Sequence, residues 1–362
     1  MEQQDMEPLA NIADDAPAVR KPLLGLTLRQ LRLVCDEAGL KPFAAGQIAR
    51  WLYTARATDI DHMTDLPKAG RARLKELGYV VGLRGPLRRD ASSDGTVKYL
   101  FPGVNGRDVE AVMIPEADRA TLCVSSQAGC RMNCSFCMTG RQGFHGNLST
   151  ADIINQVLSV RESERLTNIV FMGMGEPTDN LPAVLMAIEI LTAPWGFGWS
   201  PKRVTVSTVG RPKELKKILD ETKVHIAVSL HSPYGPERAS MMPVEKACPA
   251  REVLDLLRGY DFAHQRRLSF EYIVFRGVND DVRHCRDLAK LLKGLDCRVN
   301  LIRFHAIPDS PLRPAPMAAM ERFRDQLNAD GVVATIRASR GEDIAAACGM
   351  LAGARGEQPG LR

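Results

Sequence analysis

From Thr121 onward the chain repeats one pattern: a short apolar strand, a stretch with helical periodicity, then another strand. Candidate strands lie at 121–127, 168–173, 203–209, 225–231, 267–275, 298–305 and 332–339. Between them, 151–161, 181–192, 250–260, 280–294 and 317–328 space their apolar residues as amphipathic helices do. Strands that alternate with helices pair in parallel, because each helix carries the chain back to the same end of the sheet. The expected fold class is therefore α/β, with ligands gathered at the carboxyl ends of the strands. The alternation alone leaves an open doubly wound sheet, a barrel and a partial barrel as alternatives.

Ahead of this domain the pattern changes. Residues 1–22 mix acids, Ala and Pro and read as a disordered acidic tail; 1–19 hold five acids and no bases. Residues 23–90 carry helical spacing (Leu28, Leu31, Val34; Ile48, Leu52; Leu74, Leu77) broken by Gly39, Pro42 and Pro67, which predicts a small helical domain. Residues 20–90 bear fourteen Lys/Arg against seven Asp/Glu, a net of +7 that suits a phosphate-bearing partner or, equally, a solvated helical face. Residues 91–120 read as a β extension, 121–350 as the main domain and 351–362 as a C-terminal tail. No apolar run approaches the ~18 residues a membrane span needs, and the first residues lack the basic-then-apolar order of a signal peptide. A cytoplasmic monomer with no membrane partner is the default expectation.

Nine cysteines without an export signal point to thiols kept free for metals or catalysis. Three of them, Cys130, Cys134 and Cys137, stand on one loop directly after a strand. Three such thiolates can each ligate one iron of a cubane and leave the fourth iron open. A structural zinc site is the competing use; it needs a fourth ligand, for which His145 is a candidate.

Met172-Gly-Met-Gly175-Glu176-Pro177 follows the second strand, where glycine lets backbone approach a ligand and Glu176 can accept from an ammonium group. Ser207, the run Ser229-Leu230-His231 and His305 sit at later strand ends, so they can converge on the same pocket. Taken singly, each is an ordinary strand-end hydrogen bonder.

The spacing C-x-x-x-C-x-aromatic-C, with Phe136 as the aromatic, resembles the radical S-adenosylmethionine superfamily. The strings ATLCVSSQAGC, FCMTGRQGFHGNL, FMGMGEP, VTVSTVG, AVSLH and TIRASRGEDIAAACGML then resemble one family within it, the dual-specificity RNA adenosine carbon-2 methyltransferases called RlmN, from about Leu26 to Leu351. The resemblance implies a partial (β/α)6 barrel behind a small N-terminal helical domain that binds RNA. It implies a 4Fe-4S cluster on Cys130, Cys134 and Cys137, with S-adenosyl-L-methionine held by the open iron and by Gly175, Glu176, Ser207, Ser229, Leu230, His231 and His305. It also implies 23S rRNA and some tRNAs as partners, and an outside electron donor of the flavodoxin kind.

Carbon 2 of adenine lies between two ring nitrogens and is too electron-poor to attack a methyl sulfonium. The family's answer is a covalent relay. By resemblance, Cys348 takes a methyl group from one S-adenosylmethionine, a radical made from a second activates that methyl toward the base, and Cys123 attacks the Cys348 sulfur to release product, leaving a transient disulfide. Glu110 matches the proton acceptor. Without the family, Cys123 and Cys348 would read as small core residues and Glu110 as a surface carboxylate. His305 departs from the family pattern, which most often has Asn there; an imidazole near neutral pH carries a charge an amide cannot.

Two rivals follow. A relative that methylates carbon 8 of the same adenosine and confers antibiotic resistance would share nearly every residue named. A noncatalytic, zinc-stabilised RNA-binding protein would use the cysteine loop as a staple and residues 20–90 as its basic surface.

Overall fold

A computed structural model describes residues 20–353 apart from 265, so residues 1–19 of the acidic tail and 354–362 lie outside the described residues. The N-terminal unit packs α1 (Leu28–Glu37), α2 (Ala44–Tyr53) and α3 (Lys68–Glu76) behind a short parallel pair, β1 (Lys21–Pro22) and β2 (Tyr79–Val80). Thr27 starts α1 with a reciprocal cap: its hydroxyl accepts from the Gln30 amide, and the Gln30 side chain accepts from the Thr27 amide. Leu31, Val34 and Cys35 are buried on α1, and Ile48, Ala49 and Leu52 on α2. Tyr53 joins this unit to the next, donating to the Leu26 carbonyl at 2.6 Å while its ring lies 6.1 Å from Trp195 and 6.0 Å from Phe197.

Among the described residues ten strands form one sheet. Its antiparallel flank is β3 (Arg88–Ala91), β4 (Val97–Val104) and β5 (Arg107–Glu116), with β6 (Arg119–Cys123) antiparallel to β5. A small hairpin, β7 (Gln127–Gly129) and β8 (Phe144–Asn147), stands apart and brackets the cysteine loop with α4 (Met138–Arg141). Six further strands continue the large sheet in parallel from β6: β9 (Asn168–Phe171), β10 (Val204–Thr208), β11 (His225–Ser229), β12 (Leu268–Val274), β13 (Arg298–Arg303) and β14 (Val333–Ile336). The crossovers carry α5 (Thr150–Ser159), α6 (Leu181–Thr192), α7 (Pro212–Glu221), α8 (Gly235–Met241), α9 (Ala250–Leu257), α10 (Val282–Leu292) and α11 (Met317–Ala329).

The sheet is a partial barrel: β14 pairs only with β13, and β3 only with β4. The chain after β14 crosses back to the antiparallel flank as a strap. Gly341 donates its amide to Asp94 at 3.0 Å, while Asp343 accepts from the Ser92 hydroxyl at 2.6 Å and the Ser93 amide at 3.1 Å.

Four details differ from the reading of the sequence. Residues 121–127 are two strands, because Ser125 breaks the ladder: its hydroxyl donates to the Glu110 carbonyl and accepts from the Met174 amide. Helix α7 escapes pattern reading since only Leu215, Ile218 and Leu219 of its charged sequence are buried. Strand β3, inside the stretch assigned to the helical domain, pairs with β4. Residues 351–353, assigned to the tail, are packed, with Leu351 buried and its carbonyl accepting from Thr139 at 2.7 Å.

Beneath the cysteine loop lies a rigid floor. Phe136 meets His231 edge-on at 4.8 Å and Phe275 at 5.8 Å. His231 holds a left-handed backbone, φ 60°, and its Nδ1 accepts from the Ile273 amide at 3.0 Å; Asn279 secures its carbonyl at 2.7 Å. Arg238, 1% exposed, donates to the carbonyls of Val209, Ser229 and Leu230 and pairs with Glu245, pinning the ends of β10 and β11.

Two outcomes are expected. Gly25 has φ +83°, and a Cβ there would stand 2.3 Å from the Ala151 amide nitrogen at the start of α5. Gly25→Ala should cost about 2 kcal/mol or more in urea unfolding; an unchanged midpoint would contradict this packing. Burial, then Arg238, lowers the His231 pKa from 6.5 to about 3. An unfolded chain therefore takes up this proton from pH 6.5 downward while the folded one does not. Stability should fall by about 1.4 kcal/mol per pH unit from this group between 6.5 and 3. His231→Asn should flatten that slope in thermal unfolding measured across the window.

Candidate active site

The cysteine loop leaves β7 through Gly129, whose φ is +73° and where a Cβ would lie 1.9 Å from the Gly143 carbonyl oxygen. Cys130 and Cys134 are buried and Cys137 is half-buried. The Ser135 amide donates to the Met241 carbonyl at 3.0 Å, fixing the loop to α8. Burial pushes the Cys130 thiol up to about 12, and it pushes Cys134 well up too, with Cys137 and Cys130 adding to the effect. Thiols that disfavour each other's ionisation are close neighbours, and a cation placed among them would reverse the effect. Among the described residues no three His, Cys, Asp or Glu side chains surround one point as ligands of a single ion would. Sulfurs that each take a different iron have no such need. His145, the candidate fourth zinc ligand, has its Nε2 3.0 Å from the Gln142 carbonyl.

At the end of β9, Gly175 has φ +96° and a Cβ would come within 2.5 Å of the Gln127 Cβ and 2.8 Å of its amide nitrogen, so Gln127 fills the space a side chain would need. Gln127 accepts the Glu176 amide at 2.8 Å. The Glu176 carboxylate is buried: Oε1 accepts from the Thr178 amide and from the Thr178 and Thr208 hydroxyls, and Oε2 from the Val209 amide at 3.0 Å. Burial raises its pKa against these bonds. One lone pair of Oε2 remains, and a cationic amine is the partner that would offset the burial.

Ser207 and Ser229 are half-buried, and their hydroxyls have no hydrogen-bond partner among the described residues. Leu230 is buried and contributes backbone, its amide donating to the Glu271 carbonyl and its own carbonyl accepting from Arg238. His231 is committed to the floor by Nδ1. His305 is buried with Nδ1 3.3 Å from Glu342 Oε1, an electrostatic contact without hydrogen-bond alignment.

The strap brings the remaining residues together. Cys348 is exposed to a cavity of about 480 Å³ that runs through the sheet's concave face. Burial, with Cys348 adding to it, pushes the buried Cys123 thiol up to about 12; Cys348 also raises Cys137. Cys348 thus couples electrostatically to both Cys123 and Cys137, and the Gly349 carbonyl accepts the Met138 amide at 2.8 Å, tying this segment to the cysteine loop. Arg337 lowers the Cys123 thiol and is held by Glu271 at 3.5 Å and Met172 Sδ at 3.4 Å.

Glu110 is not a surface carboxylate. It is fully buried, with Lys98 Nζ 3.2 Å from Oε1 and the amides of Ala352 and Gly353 donating to Oε2 at 2.8 and 3.1 Å. Sequence reasoning missed Lys98, Arg238, Glu271 and Arg337. Lys98 was legible only as a charge in the otherwise apolar string VKYLF, and Glu271 as one in SFEYIV.

Comparison with known proteins places this geometry. Residues 124–289 match the model of the radical SAM superfamily, and residues 21–80 that of the ribosomal RNA large subunit methyltransferase N-terminal domain. A probable dual-specificity RNA methyltransferase RlmN of Parabacteroides distasonis is 58% identical over 336 residues, covering 93% of this chain and 98% of the relative. The dual-specificity RNA methyltransferase RlmN of Marinobacter nauticus is 41% identical over 343 residues, 91% and 92% of the two chains. A crystal structure of a radical SAM methyltransferase from Sphaerobacter thermophilus superposes with a TM-score of 0.85 at 39% identity, covering 92% of this chain and 99% of that one. On these matches along nearly its whole length, the chain belongs to the RlmN family of radical SAM dual-specificity RNA methyltransferases.

Proposed function

We propose that this enzyme methylates carbon 2 of adenosine 2503 in 23S rRNA and of adenosine 37 in some tRNAs, by a methyl relay through Cys348 that uses two molecules of S-adenosylmethionine. The observation that carries the reading is the position of Cys348, beside Cys123 and Cys137 at once, on the segment that also touches Glu110. A 4Fe-4S cluster with bound S-adenosylmethionine would supply the one-electron chemistry that activates the methyl group on Cys348.

The chain's own residues do the rest. Cys130, Cys134 and Cys137 would hold three irons. Glu176 would take the amino group of the methionine moiety on its remaining lone pair, while the free hydroxyls of Ser207 and Ser229 face the same strand ends; the backbone at Gly175 and Leu230 and the imidazole of His305 complete the wall. Cys348 accepts the methyl group and presents it to the base. Cys123 then attacks the Cys348 sulfur, the bond from sulfur to the transferred carbon breaks, and the two sulfurs are left joined until reduced. Glu110, poised by Lys98, accepts the adenine proton. Arg337 beside Cys123 favours the thiolate this attack requires. An electron donor of the flavodoxin kind and a cytoplasmic setting fit this chemistry; no helix among the described residues is long and apolar enough to cross a membrane.

The test is an anaerobic reaction with fragments of 23S rRNA and with tRNA, followed by digestion and nucleoside mass spectrometry. It should give 2-methyladenosine; 8-methyladenosine alone would assign the enzyme to the carbon-8 chemistry. Cys348→Ala should retain S-adenosylmethionine cleavage and methylate nothing, so any methylated RNA from it ends the relay. Cys123→Ala should leave RNA covalently attached to the protein on denaturing gels, and free product released at the normal rate would remove its assigned role.

A further inference from the structure

The carboxyl ends of the strands are occupied by the chemistry above; the amino ends are not, and they carry an unbalanced charge. Alternation along each strand repeats every second residue on one face. Arg298, Asn300 and Ile302 of β13, and Arg267 leading into Ser269 and Glu271 of β12, line the central cavity, as do Arg119 at the start of β6 and His225 at the start of β11. A second cavity of about 290 Å³ adjoins it and shares His225, Arg267 and Arg298, adding Lys202 and Arg266.

The compensation expected for so many cations is missing. Arg119 pairs with Glu116, but the guanidinium groups of Arg267 and Arg298 meet no carboxylate or hydrogen-bond acceptor among the described residues. Arg266 is 6% exposed; its Nη2 donates to the Leu219 and Thr222 carbonyls, while its Nη1 is buried without a partner. Asp296 is the acid that lines this cavity, and it is exposed. His225 adds no charge: its Nδ1 accepts the Arg267 amide at 2.7 Å, and burial together with Arg267, Lys202 and Arg266 lowers its pKa to about 4. Arg298 and Arg119 repel Arg267 enough to lower its pKa in the same direction as burial does.

We propose that the amino-end mouth of the partial barrel, formed by Arg266, Arg267, Arg298 and Lys202, is a binding site for a phosphate group, at the other end of the central cavity from Cys348. Guanidinium forks match the tetrahedral oxygens of phosphate, and a buried donor with no acceptor is satisfied by such an anion. The converging like charges lose their mutual repulsion when it binds. The phosphate comes either from a free small anion or from the RNA backbone away from the modified adenosine; both present the same chemistry.

Isothermal titration of the full-length holoenzyme with inorganic pyrophosphate at low ionic strength tests this. Wild type should bind saturably, Arg267→Ala/Arg298→Ala should bind about tenfold more weakly or worse, and Arg267→Lys/Arg298→Lys, which keeps the charge and loses the forks, should fall between the two. Unchanged iron content and circular dichroism confirm that the variants are folded. Filter binding of RNA then separates the sources: RNA affinity weakened in the double Ala variant, with pyrophosphate competing, identifies the backbone, whereas unchanged RNA affinity identifies a free anion. Absence of saturable pyrophosphate binding, or equal binding by wild type and the double Ala variant, overturns the site.

Discussion

The buried carboxylate of Glu110 is the junction on which the active site depends. One oxygen faces Lys98 and the other receives two amides from the C-terminal strap, with carboxylate and ammonium both removed from water. A charge so enclosed is tolerable only with its partners in place. The strap's course is therefore set by electrostatics at both ends, by Glu110 near residue 352 and by Asp94 and Asp343 nearer its start. Cys348 lies between those anchors. Its nearness to Cys123 and Cys137 follows from them rather than from any regular element of its own.

The thiols present the complementary problem. Burial drives Cys123, Cys130 and Cys134 toward the neutral form, so none is a ready nucleophile or ligand in isolation. Nearby positive charge resolves this differently in each case. Arg337 serves Cys123, and Arg238 offsets Cys134 while securing the strand ends below it. A metal cluster would do the same more strongly for the loop. Burial that looks adverse for reactivity becomes a means of selecting what may ionise the sulfur.

Much of this was legible in the sequence where local chemistry repeats or concentrates. Parallel strands and most crossover helices follow from apolar spacing, and the cysteine triplet and Gly175-Glu176 stand out as dense polar exceptions at strand ends. What the pattern could not carry was contact between distant segments. Lys98 and Glu110 lie on antiparallel neighbours, yet Glu110 reads as a surface residue until residues 352 and 353 are seen to cover it. Arg238 resembles any helical arginine because its carbonyl acceptors belong to two other places in the chain, Val209 and Ser229-Leu230. Helix α7 was hidden by its charges, and β3 by its exposure, since three charged residues and an alanine give no apolar signal. The cations at the strand amino ends were likewise invisible as a group, because Lys202, Arg266-Arg267 and Arg298 lie ahead of different strands.

The strap closes the barrel with aspartates where a closed barrel would use a strand ladder. Amide bonds from Gly341 and Thr96 outweigh burial and hold the Asp94 carboxyl well below its usual range; the Ser92 hydroxyl and Ser93 amide lower Asp343 likewise. Such a seam is fastened at neutral pH and comes undone as acid protonates it, while the backbone ladders of the same sheet carry no titratable group. Because both carboxyls protonate only below their usual range, the segment that carries Cys348 stays fastened across the window in which burial of His231 already costs the fold stability.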